Sequence, residues 1–210
     1  MKTKKRLLLV LCLILSIVFG SLTPTAISAA SHKNQVHVII ENNTYKKSKG
    51  APWQGKLVDK WVTLSKNDTM TNCIKKALNS KHYKYKIRKS KYGNYIESIN
   101  KLAEFDGGRE SGWMGTLNDW FTNTGFDNYT VKNKQLQAGD EIRVMYTCKG
   151  YGKDLGAVWG GKDTKLKALK FSTGKLNKKF KSTTKSYTLK VSKKTKSVVV
   201  TPTAANKTLR

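Results

Sequence analysis

The residue pattern predicts an α+β domain built on an antiparallel or mixed sheet with one helix. Three observations carry this. Short β-branched or alternating runs lie at both ends of residues 35–147, a single apolar stripe at helical period lies between them, and no strand–helix–strand alternation repeats. Gln35–Glu41 (QVHVIIE) reads as the first strand and Lys56–Leu64 (KLVDKWVTL) as its hairpin partner, across a polar loop that carries Trp53. Ser65–Asp68 forms a turn with a helix N-cap expected at Asn67 or Asp68. Met70, Cys73, Ile74, Ala77 and Leu78 then fall on one helical face. A helix of about three turns does not stand alone in water, so this stripe docks on the sheet.

Further strands follow. His82–Ile87 and Tyr95–Ile99 flank a basic turn. Gly112–Leu117 (GWMGTL) returns through a two-residue turn at Asn118-Asp119 to Trp120 and Phe121. Glu141–Thr147 places Ile142, Val144 and Tyr146 on one face and Arg143, Met145 and Thr147 on the other. Lys149–Lys162 is glycine-rich and reads as the end of the domain, with a linker over 157–164. Residues 165–210 are different in texture, with about three strands and almost no aromatic core.

The first thirty residues have the layout of a secretory signal peptide. Lys2, Lys4, Lys5 and Arg6 precede an apolar run, Leu7–Gly20, and a small-residue region ends Ser28-Ala29-Ala30. The run is shorter than the ~20 residues a membrane-spanning helix needs, so cleavage after Ala30 is expected and no transmembrane anchor after processing. No carboxy-terminal sorting signal is visible. The expected location is secreted or at a bacterial cell surface. Four of the 41 basic residues and none of the 13 acidic ones lie in this segment, which leaves a net charge of +24 on the rest. Such a chain associates with polyanions in a salt-sensitive way. Its cations are nearly all lysine, with arginine only at 88, 109, 143 and 210 after the signal segment. Readers of base edges rely on the bidentate arginine fork, so sequence-specific nucleic-acid binding is not expected. An anionic cell-envelope polymer is the expected partner, beside the plainer reading of a solvated lysine-rich surface.

Cys73 and Cys148 are the two cysteines left after processing. An even pair in an exported chain suggests a disulfide, expected to contribute about 4 kcal/mol through its long loop. Three histidines (His32, His37 and His82) and two cysteines support neither a metal site nor a Cys–His nucleophile. Asp106, Glu110, Asp119 and Asp127 are the acidic groups near the aromatic cluster. Paired carboxylates serve in glycoside hydrolysis, but no second catalytic element accompanies these. No catalytic residue, no metal and no enzyme activity is expected.

GNYIESINKLAEFDGGRESGWMGTLNDWF, GFDNYTV, LQAGDEIRVMYT and GKDLG together resemble the transcobalamin-like C-terminal domain of bacterial surface proteins, over residues 35–156. The resemblance implies a β-grasp-like fold and non-enzymatic ligand binding, with cobalamin as a ligand in place of any resident cofactor. In the carriers this domain covers one face of the corrin ring and a helical barrel covers the other. A corrinoid reading therefore calls for a partner that supplies the second face. Where the family commonly has an aromatic residue after Gly-Trp-Met, this chain has Gly115. The stretch LKALKFSTGKLNKKFKSTTKSYTLKVSKKTKSVVVTPTAANKT resembles the start of a cadherin-like β-sandwich repeat, of which about half is present.

The candidate ligand-binding residues are Tyr95, Trp113, Met114, Trp120, Phe126 and Tyr129. Each also reads simply as core or hairpin packing, since a small domain must bury its aromatics. Glycines at 107, 108, 112, 115 and 125 let loops approach a flat ligand. The function expected is an exported, non-enzymatic surface ligand-binding or adhesion module. The alternatives are corrinoid binding with a partner domain, and a structural spacer of a cell-surface protein.

Overall fold

Val36, Val38 and Ile40 alternate along the first strand and are fully buried, and this alternation sets the whole sheet. The structure, a computed structural model, describes residues 32–208, so the expected signal peptide lies outside the described residues. β1 (Gln35–Asn42) pairs antiparallel with β2 (Gly55–Thr63), as the alternation of both predicts. On its other side β1 runs parallel to β8 (Glu141–Thr147). β8 pairs antiparallel with β6 (Gly112–Leu117), which turns through Asn118 and Asp119 into β7 (Trp120–Phe121). Both turn residues have positive φ, 51° and 68°, the backbone a two-residue hairpin needs. The resulting five-stranded mixed sheet has the order β2-β1-β8-β6-β7, a β-grasp-like arrangement.

α1 (Met70–Asn79) buries all five residues of the predicted stripe. It packs on β1, β2 and a short 3-10 turn, Phe126–Asn128. Its N-cap is Thr69, not Asn67 or Asp68: the Thr69 hydroxyl accepts the Asn72 N–H at 3.2 Å. Asp68 is drawn away from capping, because its carboxylate accepts the Ser65 N–H and pairs with Lys76 in the second turn of the helix.

A second sheet of three strands, β3 (Tyr85–Ser90), β4 (Gly93–Ile99) and β5 (Leu102–Ala103), closes the core. Ile96, Ile99 and Leu102 are buried beneath it. Three aromatic side chains join the two sheets. Trp53 stacks on Trp113 at 5.9 Å, and Trp113 meets Tyr146 edge-on at 5.1 Å. The polar tip of each bonds a backbone carbonyl of the second sheet: Trp53 Nε1 to Ile99 at 3.3 Å, Trp113 Nε1 to Leu102 at 3.4 Å, and Tyr146 Oη to Ala103 at 2.7 Å.

On the opposite face of the large sheet the polar positions of three strands form a charge ladder. His37 is 2.6 Å from Asp59 and 3.5 Å from Glu141, while Arg143 bonds both Glu141 and Glu41. Hydrogen bonds from Lys56 and then His37 hold the Asp59 carboxyl below its ordinary pKa.

The C-terminal segment forms two separate two-stranded sheets, β9 (Leu166–Phe171) with β12 (Val200–Ala204) and β10 (Lys175–Leu176) with β11 (Leu189–Lys190). A β-sandwich repeat is not formed among the described residues. The reason is compositional: from 165 to 208 the only buried residue is Asn206, so there is no apolar layer to close a sandwich.

The expected disulfide is absent. Both cysteines are free. Cys73 faces inward on the helix stripe and is fully buried. Cys148 lies beyond the end of β8, where its Sγ is 3.8 Å from Thr44 Oγ1 and packs against Gly107. The two thiols therefore belong to different surroundings. Burial pushes the Cys73 thiol up to about 12 and raises that of Cys148 as well.

Alkylation of native protein at pH 8, followed by peptide mass mapping, should modify Cys148 slowly and leave Cys73 untouched. After unfolding without reductant both should react; a linked Cys73–Cys148 peptide would contradict this arrangement. Leu78→Ala, at a fully buried position against the sheet, should cost about 2–5 kcal/mol in urea unfolding.

Candidate functional site

β6 is paired along its whole length on one side only. β8 lies opposite all six of its residues, whereas β7 lies opposite Thr116 and Leu117 alone. The edge from Gly112 to Gly115 opens instead onto a groove. Three cavities of about 400, 690 and 390 Å³ line it, and all three meet at Met114.

The first cavity lies between the β3–β4 hairpin and residues 122–126. Tyr95, Trp113, Met114 and Phe126 contribute to it, so the structure brings four of the six predicted residues together. They contribute unequally. Trp113 is 3% exposed and locked in the aromatic layer, presenting only an edge. Met114 is half-buried and points from the opposite face of β6. The other two predicted residues do not line the three cavities. Tyr129 is buried in the core, its hydroxyl bonded to Asn123. Trp120 sits half-buried on β7.

At 115 and 125 the glycines make room for close contacts within the protein. A Cβ at Gly115 would lie 2.5 Å from the Phe126 ring. Phe126 thus occupies the space of the aromatic residue expected at 115. A Cβ at Gly125 would lie 2.3 Å from the Tyr92 carbonyl, and the Gly125 N–H donates to that carbonyl at 2.7 Å. This contact holds the β3–β4 hairpin against the 122–126 loop and shapes the cavity.

Tyr95 is the polar centre of the groove. Its hydroxyl lies against Gly112, near the Trp113 backbone and the Glu104 carboxylate. Arg88 lies 5.5 Å over its ring and 3.4 Å from Glu104. Burial pushes the Tyr95 hydroxyl up to about 12; the Trp113 N–H opposes this and Glu104 adds to it.

A third wall comes from residues read as the end of the domain and the linker after it. Gly150–Leu155 coils as 3-10 helix and folds back on β6 and β8. Tyr151, at φ 58°, holds a left-handed backbone that non-glycine residues seldom adopt, and its ring is 77% exposed. Trp159 packs edge-on to Phe121 and donates its Nε1 to the Tyr151 carbonyl at 2.7 Å. Residues 206–208 secure this wall. Asn206 and Thr208 donate to the Val158 carbonyl, and the Lys207 carbonyl accepts the Phe121 N–H. The available signal was two large aromatics set among glycines, GYG and VWGG, which solvent-exposed linkers seldom carry.

Tyr92, Phe105, Tyr151, Val158 and Trp159 are all exposed, and all rim the groove. Together these side chains form an exposed apolar patch. The nearby carboxylates do not converge. Asp106 accepts the Ala103 N–H, Glu110 the Gly150 N–H and Asp127 the Asn94 N–H, while Asp119 pairs with Lys207. Among the described residues no group of His, Cys, Asp and Glu is placed to hold a metal ion.

Spectrophotometric titration should detect the Tyr95 environment. The difference between the native chain and Tyr95→Phe should be a tyrosinate transition centred near 12, not near the ordinary 10. A raised acid pKa stabilises the fold fully below pH 10, and that contribution is lost as the pH rises toward 12.

Residues 67–147 match the family described as "Domain of unknown function (DUF4430)", a match that covers fewer than half of the 210 residues. No curated protein matches. Among solved structures, one described as "a putative metal binding protein from Ruminococcus gnavus ATCC 29149" aligns with 57% of this chain and 100% of its own, at 13% identity and a TM-score of 0.37. A score that low carries no functional inference.

Proposed function

We propose that this chain is an exported, non-enzymatic ligand-binding module that holds its ligand along the open edge of β6. The observation that carries the reading is the meeting of three cavities at Met114 under a rim of exposed aromatics. Flat or apolar groups stack on such a rim, while Tyr95, Glu104 and Arg88 supply a small polar centre that orients them. A cell-surface location rests on the signal-peptide layout of residues 1–30.

The second part of the proposal is adhesion to an anionic envelope polymer. Residues 165–208 contain thirteen lysines and no acidic residue. Spread over two small sheets with no apolar core, they form a cationic surface in which Lys165 and Lys207 pair with carboxylates outside the segment. A corrinoid is the specific ligand suggested by the transcobalamin-like resemblance. The half-exposed Met114 between aromatic walls suits one face of a flat ring, and a partner would cover the other.

Calorimetric titration with cyanocobalamin and cobinamide, at low and moderate salt, tests the corrinoid reading. For any ligand that binds, Tyr151→Ala should weaken affinity about tenfold, or roughly 1.4 kcal/mol, and change stability by less than about 0.5 kcal/mol because the ring is exposed. Unchanged affinity in both Tyr151→Ala and Met114→Ala would place the site elsewhere. Isolated cell wall should retain the protein at low salt and release it as salt rises; no retention at low salt would remove the adhesion reading.

A further inference from the structure

The second cavity, of about 690 Å³, differs from its neighbours in lining and in charge. It joins the exposed Tyr151, Val158 and Trp159 to the half-buried Met114 and to Asn123 and Lys153. The two aromatic residues are tied together, since Trp159 Nε1 donates to the Tyr151 carbonyl at 2.7 Å. Tyr151 keeps a left-handed backbone while its ring is 77% exposed, so its strain is not repaid by burial. Strain of this kind gathers at ligand clamps. The polar groups of the cavity are open. Asn123 Oδ1 accepts the Tyr129 hydroxyl at 3.1 Å, which orients the carboxamide and leaves its Nδ2 amino group without a partner among the described residues. Lys153 is exposed and enters no ion pair among the described residues.

No carboxylate lines this cavity. The two adjoining cavities carry Glu104 and Glu110 together with Arg88 and Arg109, and these four charges cancel. Asp154, the residue after Lys153, accepts the Thr147 hydroxyl and the Cys148 N–H. Asp119 pairs with Lys207 and Asp163 with Lys165. The positive charge of the groove is therefore concentrated at Lys153. The lysine-rich segment also begins and ends beside this wall. Ala205 N–H donates to the Lys165 carbonyl, and Asn206 Nδ2 and Thr208 Oγ1 donate to the Val158 carbonyl at 3.1 and 2.6 Å.

We infer that the second cavity seats one sugar ring bearing a carboxylate or phosphate, a unit of an acidic saccharide chain whose further units pass onto the lysine-rich segment. This rests on the groove being the binding site. A pyranose ring has an apolar C–H face and a hydroxyl edge. Its C–H hydrogens carry partial positive charge and rest on the negative face of an aromatic ring, which Tyr151 and Trp159 offer. Its hydroxyls accept from Asn123 Nδ2, and its acid group meets the Lys153 ammonium. A wholly apolar ligand would leave those two polar groups desolvated and unpaired. The cation in the cavity selects the acidic unit, and the lysines beyond it add avidity for a chain of such units.

The test uses the full chain, labelled with ¹⁵N at tryptophan indoles and ¹³C at methionine methyls, with the Trp159 signal assigned through Trp159→Phe. The probes are a glucuronate tetrasaccharide, the glucose tetrasaccharide of the same linkage and a sugar-phosphate polymer. An acidic probe should shift the Trp159 indole and Met114 methyl signals and bind about tenfold or more tighter than the neutral tetrasaccharide. Tyr151→Ala and Lys153→Met should each weaken the acidic probe about tenfold, while Lys153→Met should leave the neutral one unchanged. Whichever acidic probe shows this dependence identifies the acid group as carboxylate or phosphate. Binding that survives both substitutions belongs to the C-terminal lysines alone and overturns the inference, as does equal affinity for the acidic and neutral sugars. If no saccharide shifts Trp159 while cyanocobalamin shifts the Met114 methyl, the saccharide inference falls and the groove reading stands. If no probe moves Trp159 or Met114, both readings fall.

Discussion

The aromatic layer of Trp53, Trp113 and Tyr146 is the constraint on which the two sheets depend. Each ring is buried, and each spends its polar tip on a carbonyl of β4 or β5. The arrangement solves two problems together. Three indole and phenol donors that would be costly to bury unpaired find acceptors, and the carbonyls of a very short strand find donors. β5 has only two residues in register with β4, too little for a ladder to hold by itself. The β4–β5 turn is therefore secured by side chains from the opposite sheet.

That attachment also creates the groove. The second sheet is drawn onto the inner face of the first at Trp113, and it stops beside β6 without extending the ladder. Tyr95 reaches across the gap with one hydroxyl, and the glycines at 115 and 125 let Phe126 and the β3–β4 hairpin close in from the other end. An edge flanked in this way is screened from sheet-to-sheet association, which is the usual hazard of an unpaired strand.

Charge is divided unevenly along the chain. The folded domain carries nearly all the carboxylates and uses them locally, in the His37–Asp59–Glu141–Arg143 ladder, in the Asp68–Lys76 pair beside the helix cap and in loop hydrogen bonds. After Asp163 the sequence has lysines and Arg210 but no acidic residue. The C-terminal segment is tied to the domain at 206–208 by backbone, amide and hydroxyl contacts and by the Lys207–Asp119 ion pair.

The local elements were legible in the sequence because they rest on short-range patterns. The helix stripe from Met70 to Leu78, the alternation of β1, β2 and β8, and the Asn118-Asp119 turn each express a period or a backbone preference contained in a few residues. Trp113 and Met114 share β6, whereas Tyr95 on β4 and Phe126 on the 3-10 turn reach them only through the tertiary fold. Tertiary structure alone decided the rest. Thr69 caps the helix because Asp68 finds Lys76. Cys73 and Cys148 stay apart because the helix docks on β1 and β2 while β8 runs on to the loops at Thr44 and Gly107. Tyr151 and Trp159 became a wall of the groove because the glycine-rich stretch folds back over β6. None of these follows from neighbours in the chain. They depend on which groups meet across the fold once β1 and β8 pair in parallel and bring residues a hundred positions apart into one sheet.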